Sequence, residues 1–134
     1  MTKFVKLCLS AVIIGVCMLV CYIQPAQAAA PYCHLVVTNN GCETQNLNVG
    51  DELIITLEPN VKMVSANVKN TNSKYIGLVY IYTNDVLDRR KLVGNGKTSP
   101  TYIDTSNSEY VTIKNASNNG IVMEVSDVNG YNSW

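Results

Sequence analysis

The 134-residue chain carries 10 Lys and Arg against 10 Asp and Glu, a formal net charge of zero, and is 47% hydrophobic. That balance lacks the basic footprint on which non-specific nucleic-acid binding rests, so no nucleic-acid partner is expected. A chain of this length, without internal repeats or low-complexity blocks, holds one small domain.

The N-terminus reads as an export signal. Lys3 and Lys6 give a positive start, Leu7 to Ile23 is uncharged and mostly apolar, and Gln24-Pro25-Ala26-Gln27-Ala28 adds a helix-breaking proline and a small-x-small pattern. These are the parts of a cleavable signal peptide, so residues 1–28 are expected to be removed after Ala28. The apolar run is longer than a typical h-region, which makes a retained anchor the alternative, but it falls short of the about 20 residues a comfortable membrane span needs. Cys17 and Cys21 follow valines, where a lipid-modified cysteine usually follows a small residue. Residues 29–134 are then a single exported domain, secreted or at the cell surface, with no segment apolar enough to cross a membrane.

Processing changes the arithmetic of charge and sulfur. Loss of Lys3 and Lys6 leaves eight Lys and Arg against ten Asp and Glu, a net charge near −2. Cys8, Cys17 and Cys21 leave with the signal, and Cys33 and Cys42 remain. Two cysteines in an exported domain read most simply as one disulfide. Pairing between chains is the alternative, because Cys33 lies close to the expected mature end.

Period-two alternation dominates the rest. Cys33–Val37 is a short first run. In Asp51–Glu58, Leu53, Ile55 and Leu57 share one face; in Lys62–Lys69, Val64, Ala66 and Val68 do. Tyr75–Thr83 is apolar on both faces, which predicts a central strand covered on both sides with Tyr80 in the core. Weaker runs follow at Arg89–Val93 and Thr101–Ile103. Val111 and Ile113 alternate with Tyr110, Thr112 and Lys114, and Ile121, Met123 and Val125 alternate with Glu124 and Ser126. Asn-Gly pairs at 40–41, 95–96, 119–120 and 129–130 supply turn backbone. Asn118-Asn119-Gly120, between two alternating runs, predicts a hairpin. The spacing predicts an all-β chain of about seven or eight strands, a single-domain β-sandwich, with a small barrel as runner-up.

Two stretches carry a wider likeness. Leu47-Asn48-Val49-Gly50-Asp51 leads into a strand, and Glu109 to Asn115 is followed by the predicted hairpin. Both resemble the jelly-roll and immunoglobulin-like modules attached to many secreted bacterial proteins. The resemblance is to an architecture rather than to one family.

Chemistry-bearing residues are sparse. His34 is the only histidine; with both cysteines oxidised, neither a zinc site nor a Cys-His nucleophile has its partners. It is read as lying on the outer face of an edge strand. A pocket joining His34 to a carboxylate and a serine would change that reading. Asp85 with Asp88, and Asp104 with Glu109, are carboxylate pairs of the kind that hydrolyse glycosides or hold calcium, yet they match no calcium-loop spacing and read as turn formers. In Arg89-Arg90-Lys91 the alternation sets Arg90 apart, so the run reads as a charged edge.

Aromatics are the best ligand-binding candidates, since a flat ring stacks on a sugar or peptide while neighbouring amides hydrogen-bond. Tyr110 shares its face with Thr112 and Lys114, and Tyr131 and Trp134 lie in a polar tail, so these three are expected to be exposed. No catalytic set, metal or cofactor is expected. The sequence points to a secreted non-catalytic module that binds an extracellular glycan, wall polymer or protein. A self-assembling subunit of a surface fibre or matrix, and a small secreted toxin or inhibitor, are the alternatives.

Overall fold

The computed structural model describes residues 29–37 and 41–133. The expected signal peptide, Asn40 and Trp134 fall outside them. Nine strands form: β1 (Tyr32–Leu35), β2 (Gln45–Leu47), β3 (Glu52–Leu57), β4 (Met63–Asn70), β5 (Gly77–Thr83), β6 (Val86–Val93), β7 (Thr98–Asp104), β8 (Tyr110–Asn115) and β9 (Met123–Tyr131). They build a five-stranded sheet in the order β1-β3-β8-β5-β6 and a four-stranded sheet in the order β2-β9-β4-β7. The architecture is a β-sandwich of two separate sheets, and no helix occurs among the described residues.

The alternation in the sequence builds the core directly. Leu53, Ile55 and Leu57 of β3, Val64, Ala66 and Val68 of β4, and Val111 and Ile113 of β8 point between the sheets and are buried. Val79, Ile81, Ile103, Met123, Val125 and Val128 join them. Each large aliphatic side chain so buried stabilises the fold by about 1.5–3 kcal/mol before the entropy of ordering is charged.

Successive strands pair in one place only, β5 with β6. Asn84 and Asp85 stand between the paired residues Thr83 and Val86 with φ of 46° and 64°, a two-residue turn whose left-handed backbone suits Asn and Asp. Every other link carries the chain from one sheet to the other. The expected hairpin at Asn118–Gly120 is therefore corrected. Asn119 and Gly120 do take positive φ, 58° and 63°, but their turn joins β8 of the larger sheet to β9 of the smaller.

Two buried asparagines hold such crossings. Asn115, at the end of β8, donates to the carbonyls of Leu47 and Ile121, both at 2.8 Å, and accepts the Ser117 amide at 3.0 Å. Asn70, at the end of β4, donates to the carbonyls of Tyr75 at 2.8 Å and Val93 at 3.1 Å and accepts the Asn72 amide at 2.9 Å. Both are fully buried, so their amides stand in for water where the backbone leaves the ladders.

Several element boundaries differ from the expected ones for local reasons. Asn129-Gly130 is not a turn but part of β9. Asp127, at φ 50°, is the extra residue of a bulge opposite Ala66, and it shifts the inward phase from Met123 and Val125 to Val128 and Gly130. Tyr131 thus belongs to β9 rather than to a tail. Tyr75 and Ile76 are exposed and precede β5. β5 is covered on one side only: Gly77, Val79 and Ile81 face the core, while Leu78, Tyr80 and Tyr82 lie half-buried on the outer face. Tyr80 is thus outside the core, under the Arg90 guanidinium, 5.4 Å from the ring centre.

Different contacts close the two open sides of the sandwich. Cys33 in β1 and Cys42 just before β2 form a disulfide within the chain, with Cα atoms 5.3 Å apart, linking the larger sheet to the approach to the smaller. On the opposite side, Lys91 of β6 donates to the Pro100 carbonyl of β7. Partial burial and the nearby Arg89 charge lower the Lys91 pKa.

Candidate functional site

The outer face of the five-stranded sheet carries a concavity of about 430 Å³ lined by Glu52, Ile54 and Thr56 of β3, Tyr110, Thr112 and Lys114 of β8, Tyr82 of β5 and Asp85 of the hairpin turn. The register sets these side chains in rows across three strands. Glu52 lies opposite Lys114, which lies opposite Tyr80. Ile54, Thr112 and Tyr82 form the next row, and Thr56 and Tyr110 the third. In the middle row a short Thr112, only 7% exposed, stands between the larger Ile54 and Tyr82. A small residue flanked by large ones on a pleated surface leaves a depression, and that accounts for the hollow.

Asp85 and Tyr110 line the hollow together. The Asp85 side chain, with some desolvation and the charges of Asp85 and Glu109, raises the Tyr110 pKa above the ordinary phenol value. Tyr82 meets Tyr80 edge-on, with ring centres 6.4 Å apart. The face therefore offers two tyrosines, a floor of Thr and Ile, and carboxylate and ammonium groups at the margin. Such a surface can stack a flat apolar ring face and hydrogen-bond the hydroxyls around it.

His34 lies beside this hollow, exposed on the edge strand β1 between the inward Cys33 and Leu35. Its Nδ1 is 2.8 Å from Thr56 Oγ1 and its Nε2 2.9 Å from Glu58 Oε1. A hydroxyl, an imidazole and a carboxylate do meet, but on an open surface. Glu58 and His34 are 44% and 47% exposed in their side chains. Thr56 is paired to β1 on one side and β8 on the other, so nearby amides serve the ladders rather than forming an oxyanion hole. Thr56 Oγ1 is also 3.1 Å from the Tyr32 hydroxyl, and the network ties β1 to β3.

The carboxylate pairs separate. Asp85 faces Tyr110, whereas Asp88 accepts from Arg89 Nε at 2.6 Å. Asp104 accepts the Ser106 amide at 2.9 Å, and that bond holds its carboxyl below the usual range. Glu109 gives its backbone amide to Asn84 at 2.9 Å. Among the described residues no group of three or more His, Cys, Asp and Glu is placed to hold a metal ion.

Of the aromatic candidates, Tyr110 lies in the hollow and Tyr131 on the opposite outer face, where it is 41% exposed; the fold does not bring them together. Trp134 falls outside the described residues. Near Tyr131, Tyr102 and Asn67, Asp127 and Asn129 border a smaller depression of about 190 Å³. Sequence reasoning missed Tyr82, read as part of a strand covered on both sides, and Tyr32. The signal that finds Tyr82 is register: it lies opposite Thr112, two residues from Tyr110 on the same face.

No family model and no curated protein matches this chain. Among solved structures it is similar to a β-glucosidase from Paenibacillus barengoltzii, at 13% identity and a TM-score of 0.41. The match covers 78% of this chain and 12% of that one. A likeness that distant carries nothing about function.

Proposed function

We propose that the chain is a secreted, non-catalytic binding module of the cell exterior, and that its ligand is a glycan or wall polymer held on the outer face of the five-stranded sheet. The observation that carries this reading is the hollow flanked by Tyr82 and Tyr110, with Thr112 on its floor and Glu52, Asp85 and Lys114 around it. Its volume falls in the range of small-ligand sites, about 300–1,000 Å³. The test is titration calorimetry of the secreted protein against a panel of soluble oligosaccharides, with Tyr82→Ala and Tyr110→Ala as variants. Binding weakened about tenfold or more by either change supports the reading, given about 1–1.5 kcal/mol per stacked aromatic. Equal binding by wild type and both variants, or binding to none of the panel, refutes it.

Self-assembly is the second reading, and the β6 edge favours it. β6 has one unpaired side, and Val86 and Leu92 are 68% and 70% exposed. Against it stand the bulge between Ile81 and Tyr82 of the β5–β6 pairing and the charges of Asp88, Arg89 and Arg90, devices that blunt an edge. Sedimentation velocity at high concentration decides: only monomer removes the assembly reading.

A further inference from the structure

Resting on the glycan reading above, we infer that the hollow discriminates by charge: it prefers cationic amino sugars over their neutral counterparts and rejects acidic sugars. The lining holds two carboxylates, Glu52 and Asp85, and one ammonium, Lys114. Lys114 lies directly across the strand pair from Glu52, so that carboxylate has a cation opposite it. Asp85 does not. The Lys and Arg salt bridges among the described residues join Lys69 to Glu124 and Arg89 to Asp88, and Glu58 lies 2.9 Å from His34; Asp85 takes part in none of them.

A phenol satisfies part of a carboxylate's hydrogen-bonding capacity and none of its charge. The Tyr82 and Tyr110 rings add negative π-faces to the same hollow, and a cation over such a face is attracted. Glu109 lies next to Tyr110 and adds its negative charge there. A protonated amine on a sugar ring stacked here gains a full ion pair with Asp85, whereas a hydroxyl or an acetamide can offer only a neutral donor. A uronate meets like charge at the same point.

Three oligosaccharides on one β-linked gluco backbone isolate the effect: a cello-oligosaccharide, a chitosan oligosaccharide and a cellouronate oligosaccharide of equal length. They differ by a neutral hydroxyl, an ammonium or a carboxylate on each ring. Calorimetry of the secreted protein at low salt, at a pH where the amine is protonated, should give chitosan roughly fivefold tighter binding than the neutral sugar, as for a partly exposed charge pair. Cellouronate should bind weakest, and added salt should close the gaps. Asp85→Asn, which keeps an acceptor oxygen for Tyr110, should remove the preference while neutral binding persists. Glu52→Gln should change it less.

Equal affinity for the cationic and neutral sugars, an acidic sugar that binds as well as either, or a preference that survives Asp85→Asn overturns the charge inference and leaves the glycan reading standing. Binding of none of the three overturns both.

Discussion

Asn115→Ala should destabilise the domain by about 3 kcal/mol. The side chain is fully buried and makes three hydrogen bonds, donating to Leu47 and Ile121 and accepting from Ser117. A buried hydrogen bond contributes about 1 kcal/mol net, and a partner left in the interior without water costs about 1–3 kcal/mol. Alanine strands two carbonyls and one amide. The lower end of that range applies, because the carbonyls have second lone pairs and the crossing from Ala116 to Val122 can relax. Against a total stability of about 5–15 kcal/mol for a domain, the loss is large. Urea unfolding followed by circular dichroism measures it as a shift of the midpoint at an unchanged m-value. Asn46→Ala, exposed on β2, is the control and should stay within about 0.5 kcal/mol of wild type. A loss below about 1 kcal/mol at position 115 would refute the claim that this one amide holds the crossing.

The hydroxyl of Thr101 is the reverse case: the residue is 2% exposed and its Oγ1 has no hydrogen-bond partner. Thr101→Val should therefore raise the unfolding free energy by about 1 kcal/mol, and a lower melting temperature would contradict this. Replacing both Cys33 and Cys42 with serine opens a link with a sequence separation of 9. In the chain-entropy model this costs about 2.5 kcal/mol, and an unchanged urea midpoint would refute it. The Tyr110 pKa lies above the ordinary phenol value, chiefly through the Asp85 side chain beside it. The folded chain keeps that proton longer than the unfolded one, so this group's contribution to stability falls as pH rises from about 10 through the raised value. Phenolate absorbance should show the Tyr110 titration shifting down in Asp85→Asn; an unmoved titration would count against the contact.

The sequence was most legible where the pleat is regular. Leu53, Ile55 and Leu57 and then Val64, Ala66 and Val68 alternate without interruption, and each points inward as the pattern requires. Legibility failed at Asp127, where one inserted residue reverses the phase, so that Asp127 to Gly130 reads as a turn. It failed at β2 as well, where three residues with one buried leucine leave no period to detect. In β5, alternation cannot separate a tyrosine facing the core from one facing a ligand, because both are large and partly apolar. Tyr110 was readable as exposed from Thr112 and Lys114 beside it. Its contact with Asp85 depends on β5 lying next to β8, a pairing between segments far apart in the chain.

The zigzag of the chain between the layers governs how the molecule can come together. Because only β5 and β6 are neighbours in both sequence and space, a growing chain has little it can lock in early. Pairing β3 with β8 and β4 with β9 must wait for the last third of the polypeptide. Folds dominated by such distant pairings are slow to form. A cut at the exposed Ser73–Lys74 linkage would leave two pieces, β1 to β4 without β8 and β9, and β5 to β9 without β3 and β4. Neither piece would contain a complete sheet, yet together they would still contain every strand of the whole.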